Sequence, residues 1–248
     1  MSPSVVLDQK YEMLHVPVKE IVQDASTAKE RIAEGRNVCG IHFTNGDAFA
    51  VASVMNCEGK ELAVRYFKGG KEYTHQCSKV LEKIDKSRKS RGENAGGRVN
   101  QKYWMYLKHL GEQYAHQVSL NIVTFCKEQD VSVIAFPKYD EEYRRHVLKG
   151  AGNFGTLHLS TRIREYLTYK AWKEGILVLD VNAKEMHRIC AVCGSEIVQQ
   201  DKQSKRFVCE EGHQGDTYLN VARNVAKRCM EQFRKKAGKE KNVSASKI

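Results

Sequence analysis

The amino-acid sequence predicts an α/β domain in which a mixed β-sheet is flanked by helices and interrupted by a small cysteine-rich module. Three observations support this prediction. An Asn45-Gly46 pair joins two apolar runs, which is a strong signal for an antiparallel hairpin. Apolar residues recur at three- and four-residue steps from Trp104 to Phe125, which indicates a long amphipathic helix. A Cys-x-x-Cys pair precedes a third cysteine and a histidine at the spacing of a metal site.

Composition limits the partners that the chain can have. Its 248 residues, 41% of them hydrophobic, are enough for one large domain or for a domain with an inserted module. The net charge of +11 and the pI near 9.2 favour a polyanionic partner, with nucleic acid as the leading expectation.

The cellular setting follows from the apolar runs and the cysteines. No apolar run approaches the roughly 18 residues of a membrane span, and the polar start has no secretory pattern, so we expect no membrane partner. A cytoplasmic location follows, and in that reducing compartment clustered cysteines indicate a metal rather than disulfides.

The first elements are a short N-terminal segment and three strands. Residues 1–36 form that segment, with a helix over residues 26–34 that Ser26 or Thr27 caps and Gly35 ends. Strands are predicted over residues 38–43, 48–55 and 62–67. Turns at residues 45–47 and 58–60 make them antiparallel.

Helices and buried strands then alternate. Charge and glycine are dense over residues 83–102, and the long helix follows. A strand over residues 131–136 ends at Pro137, and a flexible loop over residues 150–155 leads to a helix over residues 161–173. Another strand covers residues 176–181, and a final helix follows the cysteines. The basic residues 236–248 are predicted to be disordered. This order is the plan of an RNase H-like fold over residues 37–235.

The cysteine-rich module spans residues 186–215 and carries four candidate metal ligands. Cys190 and Cys193 supply two sulfurs from one turn, Cys209 supplies a third, and His213 follows four residues later across a glycine. A closed set of three thiolates and an imidazole is typical of a structural Zn²⁺. The alternative is a coincidence among eight cysteines.

The order of these parts resembles the RuvC-like nuclease domain of transposon-encoded TnpB proteins and the related type V CRISPR effectors. The resemblance covers roughly residues 38–228. It rests on Gly40-Ile41 in the first strand, Val133-Ile-Ala-Phe in the fourth, Tyr169-Lys-Ala-Trp172, the Cys-x-x-Cys ribbon and Asn220-Val-Ala-Arg-Asn224.

The resemblance implies three catalytic carboxylates, and this sequence lacks them. Family members carry an aspartate after Gly-Ile, a glutamate at the end of the fourth strand, and an aspartate two residues before the asparagine of the last helix. Those positions read His42, Ala135 and Tyr218 here, while Asp216 survives two residues before Tyr218.

Paired magnesium ions need clustered carboxylate oxygens, so bound Mg²⁺ is not expected and neither is DNA cleavage. The alternative that stays open is a divalent-metal-dependent nuclease with a rearranged site around Asp216, together with Asp47 and His42.

Nucleic-acid contacts are predicted mainly for the basic run. Tyr103, Trp104 and Tyr106 lie beside it, and Trp104 is assigned to the core rather than to base stacking. The candidate phosphate-binding residues are Lys83, Lys86, Arg88, Lys89, Arg91, Arg98, Lys102, Arg144, Arg145 and Lys149.

The resemblance implies guide RNA and target DNA, or their heteroduplex, as partners. Relatives use a sizeable N-terminal portion to clamp that duplex. Only about 36 residues precede the first strand here, so we expect a protein partner or a homodimer to supply those surfaces. The predicted output is target occupancy, acting as repression or recruitment. A purely structural subunit whose basic face contacts another protein remains the other alternative.

Overall fold

The structure is a computed structural model that describes residues 6–8, 13–15, 24–91, 100–142, 145, 148–149, 154–201 and 203–245. Side chains are not described for residues 6–8, 13–15, 91 and 235–245. Strands β1 (Val6–Asp8) and β2 (Met13–His15) pair as an antiparallel hairpin that the sequence analysis did not predict.

Helix α1 (Ala28–Ala33) lies within the helix predicted over residues 26–34. Thr27 is the N-cap, and a reciprocal pair of hydrogen bonds with Glu30 closes a capping box. Arg31 of this helix is only 1% exposed, although the sequence gave no sign of its burial. Its guanidinium donates to the carbonyl oxygens of Ser132 at 2.9 Å and of Gly175 at 2.5 Å, so one cation ties α1 to the central sheet.

The central sheet has five strands in the order β5-β4-β3-β6-β7. Strands β3 (Asn37–Phe43), β4 (Ala48–Met55) and β5 (Glu61–Lys68) form the predicted antiparallel meander. Strands β6 (Val131–Lys138) and β7 (Leu177–Asn182) run parallel to β3 and to each other. The predicted mixed sheet is confirmed.

Helices cover both faces of this sheet and bury two apolar layers. Helices α2 (Gly70–Arg91), α3 (Gln101–Glu128) and α4 (Ser160–Lys173) pack on one face, where Ile41, Ile122 and Leu167 are fully buried. A 3₁₀ turn (Thr156–Leu159) leads into α4. Helices α1 and α5 (Thr217–Ala245) pack on the other face, which buries Val38 and Val225.

Helix α2 is the largest element that the sequence analysis omitted. Its buried residues Tyr73, Cys77, Val80 and Ile84 recur at steps of four, three and four residues, which is the helical pattern. The density of lysine, arginine and glycine over residues 83–102 obscured this signal, because a charged run reads as a loop when the apolar face is ignored.

The final helix is longer than the sequence predicts and lies very close to the sheet. Its backbone stays helical to Ala245, across most of the segment expected to be disordered, because Lys, Glu and Ala favour helix. A Cβ atom on Gly40 would lie 2.1 Å from the Ala222 carbonyl oxygen and 2.6 Å from the Ala226 nitrogen. The helix therefore approaches β3 at a distance that only glycine permits.

The cysteine-rich module forms its own antiparallel sheet of β8 (Ile197–Asp201), β9 (Arg206–Cys209) and β10 (Gln214–Asp216). Its small core consists of Cys190, Phe207 and Cys209, with Ile197 packed against them. Among the described residues, no helix is long and apolar enough to cross a membrane.

Candidate functional site

The four predicted metal ligands lie together in the module. The sulfur atoms of Cys190, Cys193 and Cys209 and a ring nitrogen of His213 are all within 4.8 Å of one another. Cys209 Sγ is 3.6 Å from both Cys193 Sγ and His213 Nδ1. Metal–sulfur bonds of about 2.3 Å in a tetrahedron imply sulfur–sulfur distances of about 3.8 Å, so the spacing fits one ion.

Two similar backbone turns present these ligands. The Gly194 amide donates to the Cys190 carbonyl at 2.9 Å, and the Gly212 amide donates to the Cys209 carbonyl at 2.9 Å. Both glycines have a φ near +80°, a left-handed conformation that side chains disfavour. The Ser195 hydroxyl lies 2.7 Å from Cys193 Sγ, and its hydrogen bond is the main cause that lowers the pKa of Cys193 to about 6. That thiol is therefore readily converted to the thiolate that binds metals.

Two asparagines of α5 fix the module to the domain. Asn220, 2% exposed, accepts from the Ala191 amide at 2.7 Å and donates to the Ile189 carbonyl at 2.8 Å. Asn224 lies one turn later and donates to the Ile189 and Met186 carbonyls at 2.8 Å. These asparagines carried the family resemblance in the sequence, but their role as a clamp was not predicted.

The structure brings together two of the three positions where the resemblance implies carboxylates. The ring of His42, on β3, lies 5.7 Å from the ring of Tyr218 in the first turn of α5. The Tyr139 hydroxyl, just after β6, is 3.4 Å from His42 Nδ1. Burial, assisted by the nearby His187, lowers the pKa of His42 to about 4. The imidazole is therefore neutral at pH 7.

The third position, Ala135, belongs to the same face of the sheet. It pairs with Gly40 in the parallel register between β3 and β6, two residues before His42. It is fully buried in the apolar layer under α5, beside Val133 and Ala226. The methyl group offers no ligand atom to a cation.

Asp216 has a structural environment at the start of α5. Its Oδ1 accepts from the Leu219 amide at 2.8 Å, which caps the helix. The Tyr66 hydroxyl donates to the same carboxylate, and burial together with this anion raises the pKa of Tyr66 to about 12. The Cys3His set is the only group of three or more clustered His, Cys, Asp or Glu side chains in the described part of the chain.

The predicted phosphate-binding residues are distributed over two regions. Lys83, Lys86, Arg88 and Lys89 are exposed on the last turns of α2, and Lys102 is exposed in the first turn of α3. The second region comprises Arg145 and Lys149, both exposed, and Arg145 lies 3.9 Å from Glu141. Arg98, Arg144 and the Arg91 side chain lie outside the described residues.

Trp104 is not in the core, contrary to the prediction. It is 38% exposed, because its position on α3 is at the margin of the buried face rather than at its centre.

A family model matches part of the chain. Residues 161–225, from α4 through the module to α5, match the Cas12f1-like TNB domain. No curated protein sequence is significantly similar to this chain.

Solved structures of type V effectors share the fold. Cas12f1 in a complex with single-guide RNA and target DNA has a TM-score of 0.59 and 11% identity, over 77% of this chain and 49% of that one. CasPhi-2 (Cas12j) bound to crRNA has a TM-score of 0.59 and 7% identity, over 91% and 55%. C2c1 of Alicyclobacillus acidoterrestris with single-guide RNA has a TM-score of 0.55 and 10% identity, over 84% and 40%.

This chain matches about half the length of those effectors. The residues that match the TNB domain include Cys190, Cys193, Cys209 and His213, so the Cys3His module lies inside that match. The sequence-based resemblance to type V effectors is confirmed at the level of the fold, and residues 161–225 match the Cas12f1-like TNB domain.

Proposed function

We propose that this chain is a nuclease-inactive, zinc-containing subunit of an RNA-guided DNA-binding complex that acts by occupying its target. The observation that carries the proposal is the carboxylate-free centre of His42, Ala135 and Tyr218. It lies where the resemblance places the catalytic acids, and neutral, packed side chains fill it.

Electrostatics supports the inactive state. Two divalent cations about 4 Å apart repel each other by roughly 17 kcal/mol even at an effective dielectric constant of 20. Clustered carboxylates offset that repulsion in a two-metal nuclease. A neutral imidazole, a methyl group and a phenol do not, and Asp216 is already engaged by the Leu219 amide and the Tyr66 hydroxyl.

Zinc in the Cys3His module is the second part of the proposal. Three sulfurs and one imidazole select a soft or borderline cation over magnesium, and all four positions of a tetrahedron are taken by protein. The ion then has no open position for water or substrate. Its role is structural, and it holds the two turns of the module against α5.

Nucleic-acid partners are proposed from charge and from the solved relatives. The net charge is +11, and the structures that share the fold include complexes with guide RNA and target DNA. The match covers about half of those effectors, and we propose that a protein partner or a second copy of this chain contributes further recognition surfaces.

The direct test is a cleavage assay. The purified chain, alone and with its co-purifying RNA, is incubated with matching DNA in Mg²⁺ or Mn²⁺. We expect no product, together with DNA or RNA binding that weakens as salt rises. Cleavage that disappears in Asp216→Ala would favour the rearranged nuclease instead. Co-purifying RNA also separates this proposal from a purely structural subunit, which would carry none.

A gain-of-binding experiment tests whether these positions are the degenerate metal centre. The triple variant His42→Asp, Ala135→Glu, Tyr218→Asp restores three carboxylates. We expect millimolar Mn²⁺ to raise its melting temperature by several degrees and to leave the parent chain unchanged. A matched control places the same acids at exposed Leu120, Tyr169 and Trp172. An equal response in the control would contradict the assignment.

A further inference from the structure

We propose that Trp104 and Arg88 form a stacking site for an unpaired base, so that the surface where the end of α2 meets the start of α3 binds single-stranded nucleic acid. This inference rests on the proposed nucleic-acid-binding function and specifies one site and one form of the ligand.

The geometry places an exposed indole beside a cation and a second ring. Trp104 is 38% exposed. The ring of Phe154 stacks beside it, with centroids 6.3 Å apart and planes 25° apart. The guanidinium carbon of Arg88 lies 5.9 Å from the indole centroid. Phe154 thus holds the orientation of the indole, and Arg88 can contact either the π-face or a phosphate beside it.

The last turns of α2 carry four exposed cations, of which Arg88 contacts the indole. Lys83, Lys86 and Lys89 are exposed on the same end of α2 as Arg88. None of these four cations forms an ion pair among the residues whose side chains are described, although Glu82 and Asp85 lie on the same helix. A polyanionic strand would therefore meet unneutralised charge beside the aromatic surface.

Base stacking selects a single strand over a duplex. In a duplex, neighbouring bases cover both faces of each base, so a side chain such as Trp104 finds no free π-surface there. An unpaired base has a free face, and stacking on an aromatic side chain is tolerant of base identity. A duplex would contact only the lysines of α2 through its phosphates.

Helix α3 supplies a matched control. Tyr106 is 50% exposed and lies two residues after Trp104, about 200° around the helix axis. It is an exposed aromatic residue on the same helix but on the opposite flank, away from Arg88. Comparing Trp104→Ala with Tyr106→Ala therefore separates the loss of the proposed site from the loss of any exposed aromatic ring.

The test compares two probes by fluorescence anisotropy: a labelled 12-nucleotide oligothymidylate and a labelled 12-base-pair RNA–DNA duplex. We expect Trp104→Ala to weaken binding of the single strand about 5- to 100-fold and binding of the duplex less than twofold. Trp104→Phe should retain most of the affinity, and Tyr106→Ala should bind both probes like the parent chain. Removing Lys83, Lys86 and Lys89 together should weaken both probes and flatten the salt dependence.

Other outcomes are equally informative. If Trp104→Ala binds both the duplex and the single strand as tightly as the parent chain does, the stacking site is wrong and the proposed function still stands. An equal loss in Trp104→Ala and Tyr106→Ala leads to the same conclusion. Failure of the parent chain to bind either probe overturns the proposed function itself.

A second measurement reads the indole directly. The chain has two tryptophans, so Trp172→Phe leaves Trp104 as the sole indole. Stacking of thymine on Trp104 should then quench its emission in proportion to bound oligothymidylate. Unchanged emission at saturation would exclude contact between the base and this ring.

Discussion

The neutral state of His42 has a measurable consequence for stability. Its pKa is about 4 in the folded chain and about 6.5 in the unfolded chain. Between these values the unfolded chain binds more protons, so acid favours unfolding. The contribution of the neutral imidazole to the unfolding free energy is fully present above pH 6.5 and is lost as the pH falls toward 4.

The magnitude follows from those two pKa values. Lowering the pH from 7 to 5 should cost about 2 kcal/mol of unfolding free energy through His42 alone. The comparison variant is His42→Phe, which keeps a ring against Tyr218 and has no titrating group. Urea unfolding at both pH values, followed by circular dichroism, gives the two free-energy differences.

The parent chain should lose about 2 kcal/mol more than His42→Phe over this range. Terms common to both chains, including acid release of a metal from the Cys3His module, cancel in the difference. The exposed His75→Gln variant should follow the parent chain. Equal pH dependence in the parent chain and His42→Phe would refute the neutral, half-buried imidazole, and with it the uncharged centre.

Three further perturbations test other parts of the fold. Gly40→Ala should destabilise the domain by about 3 kcal/mol, because its Cβ would lie 2.1 Å from a backbone oxygen of α5. Gly111→Ala would meet only side-chain atoms, the nearest a carbon at 3.3 Å, and should change stability by less than about 1 kcal/mol. Urea unfolding compares the two variants. Cys193→Ser should lower the zinc content, measured by mass spectrometry, from one ion per chain to well below half an ion per chain. A chelator should lower the melting temperature of the parent chain but not that of this variant. Arg31→Lys should lower the unfolding free energy by about 3 kcal/mol in the same assay, because an ammonium cannot reach all the carbonyl oxygens that the buried guanidinium contacts. Stability within 1 kcal/mol of the parent chain would show that these hydrogen bonds contribute little.

Local patterns predicted most of the fold. The three-strand meander followed from apolar runs separated by glycine turns, and its bounds agree with the prediction to within one residue. The four candidate metal ligands were identified from spacing alone, and the structure brings their ligand atoms within 4.8 Å of one another.

The rest depends on contacts between segments far apart in the chain, which no local pattern reveals. The burial of Arg31 depends on carbonyl oxygens about 100 and 144 residues away. The capping role of Asp216 depends on how β10 enters α5, and its contact with Tyr66 depends on the position of β5. The exposure of Trp104 depends on where α2 and Phe154 lie beside α3.

The uncharged centre also limits which single substitutions the domain tolerates. Ala135 is fully buried between two strands and α5, in a layer that includes Val133 and Val225. A lone carboxylate at that position would lie in this apolar layer, at a cost of several kcal/mol. The same carboxylate becomes tolerable only when acids at positions 42 and 218 help it to hold metal ions, so restoring the three acids is cooperative. Under the proposed function, the absence of the three acids and the apolar packing around Ala135 therefore reinforce each other.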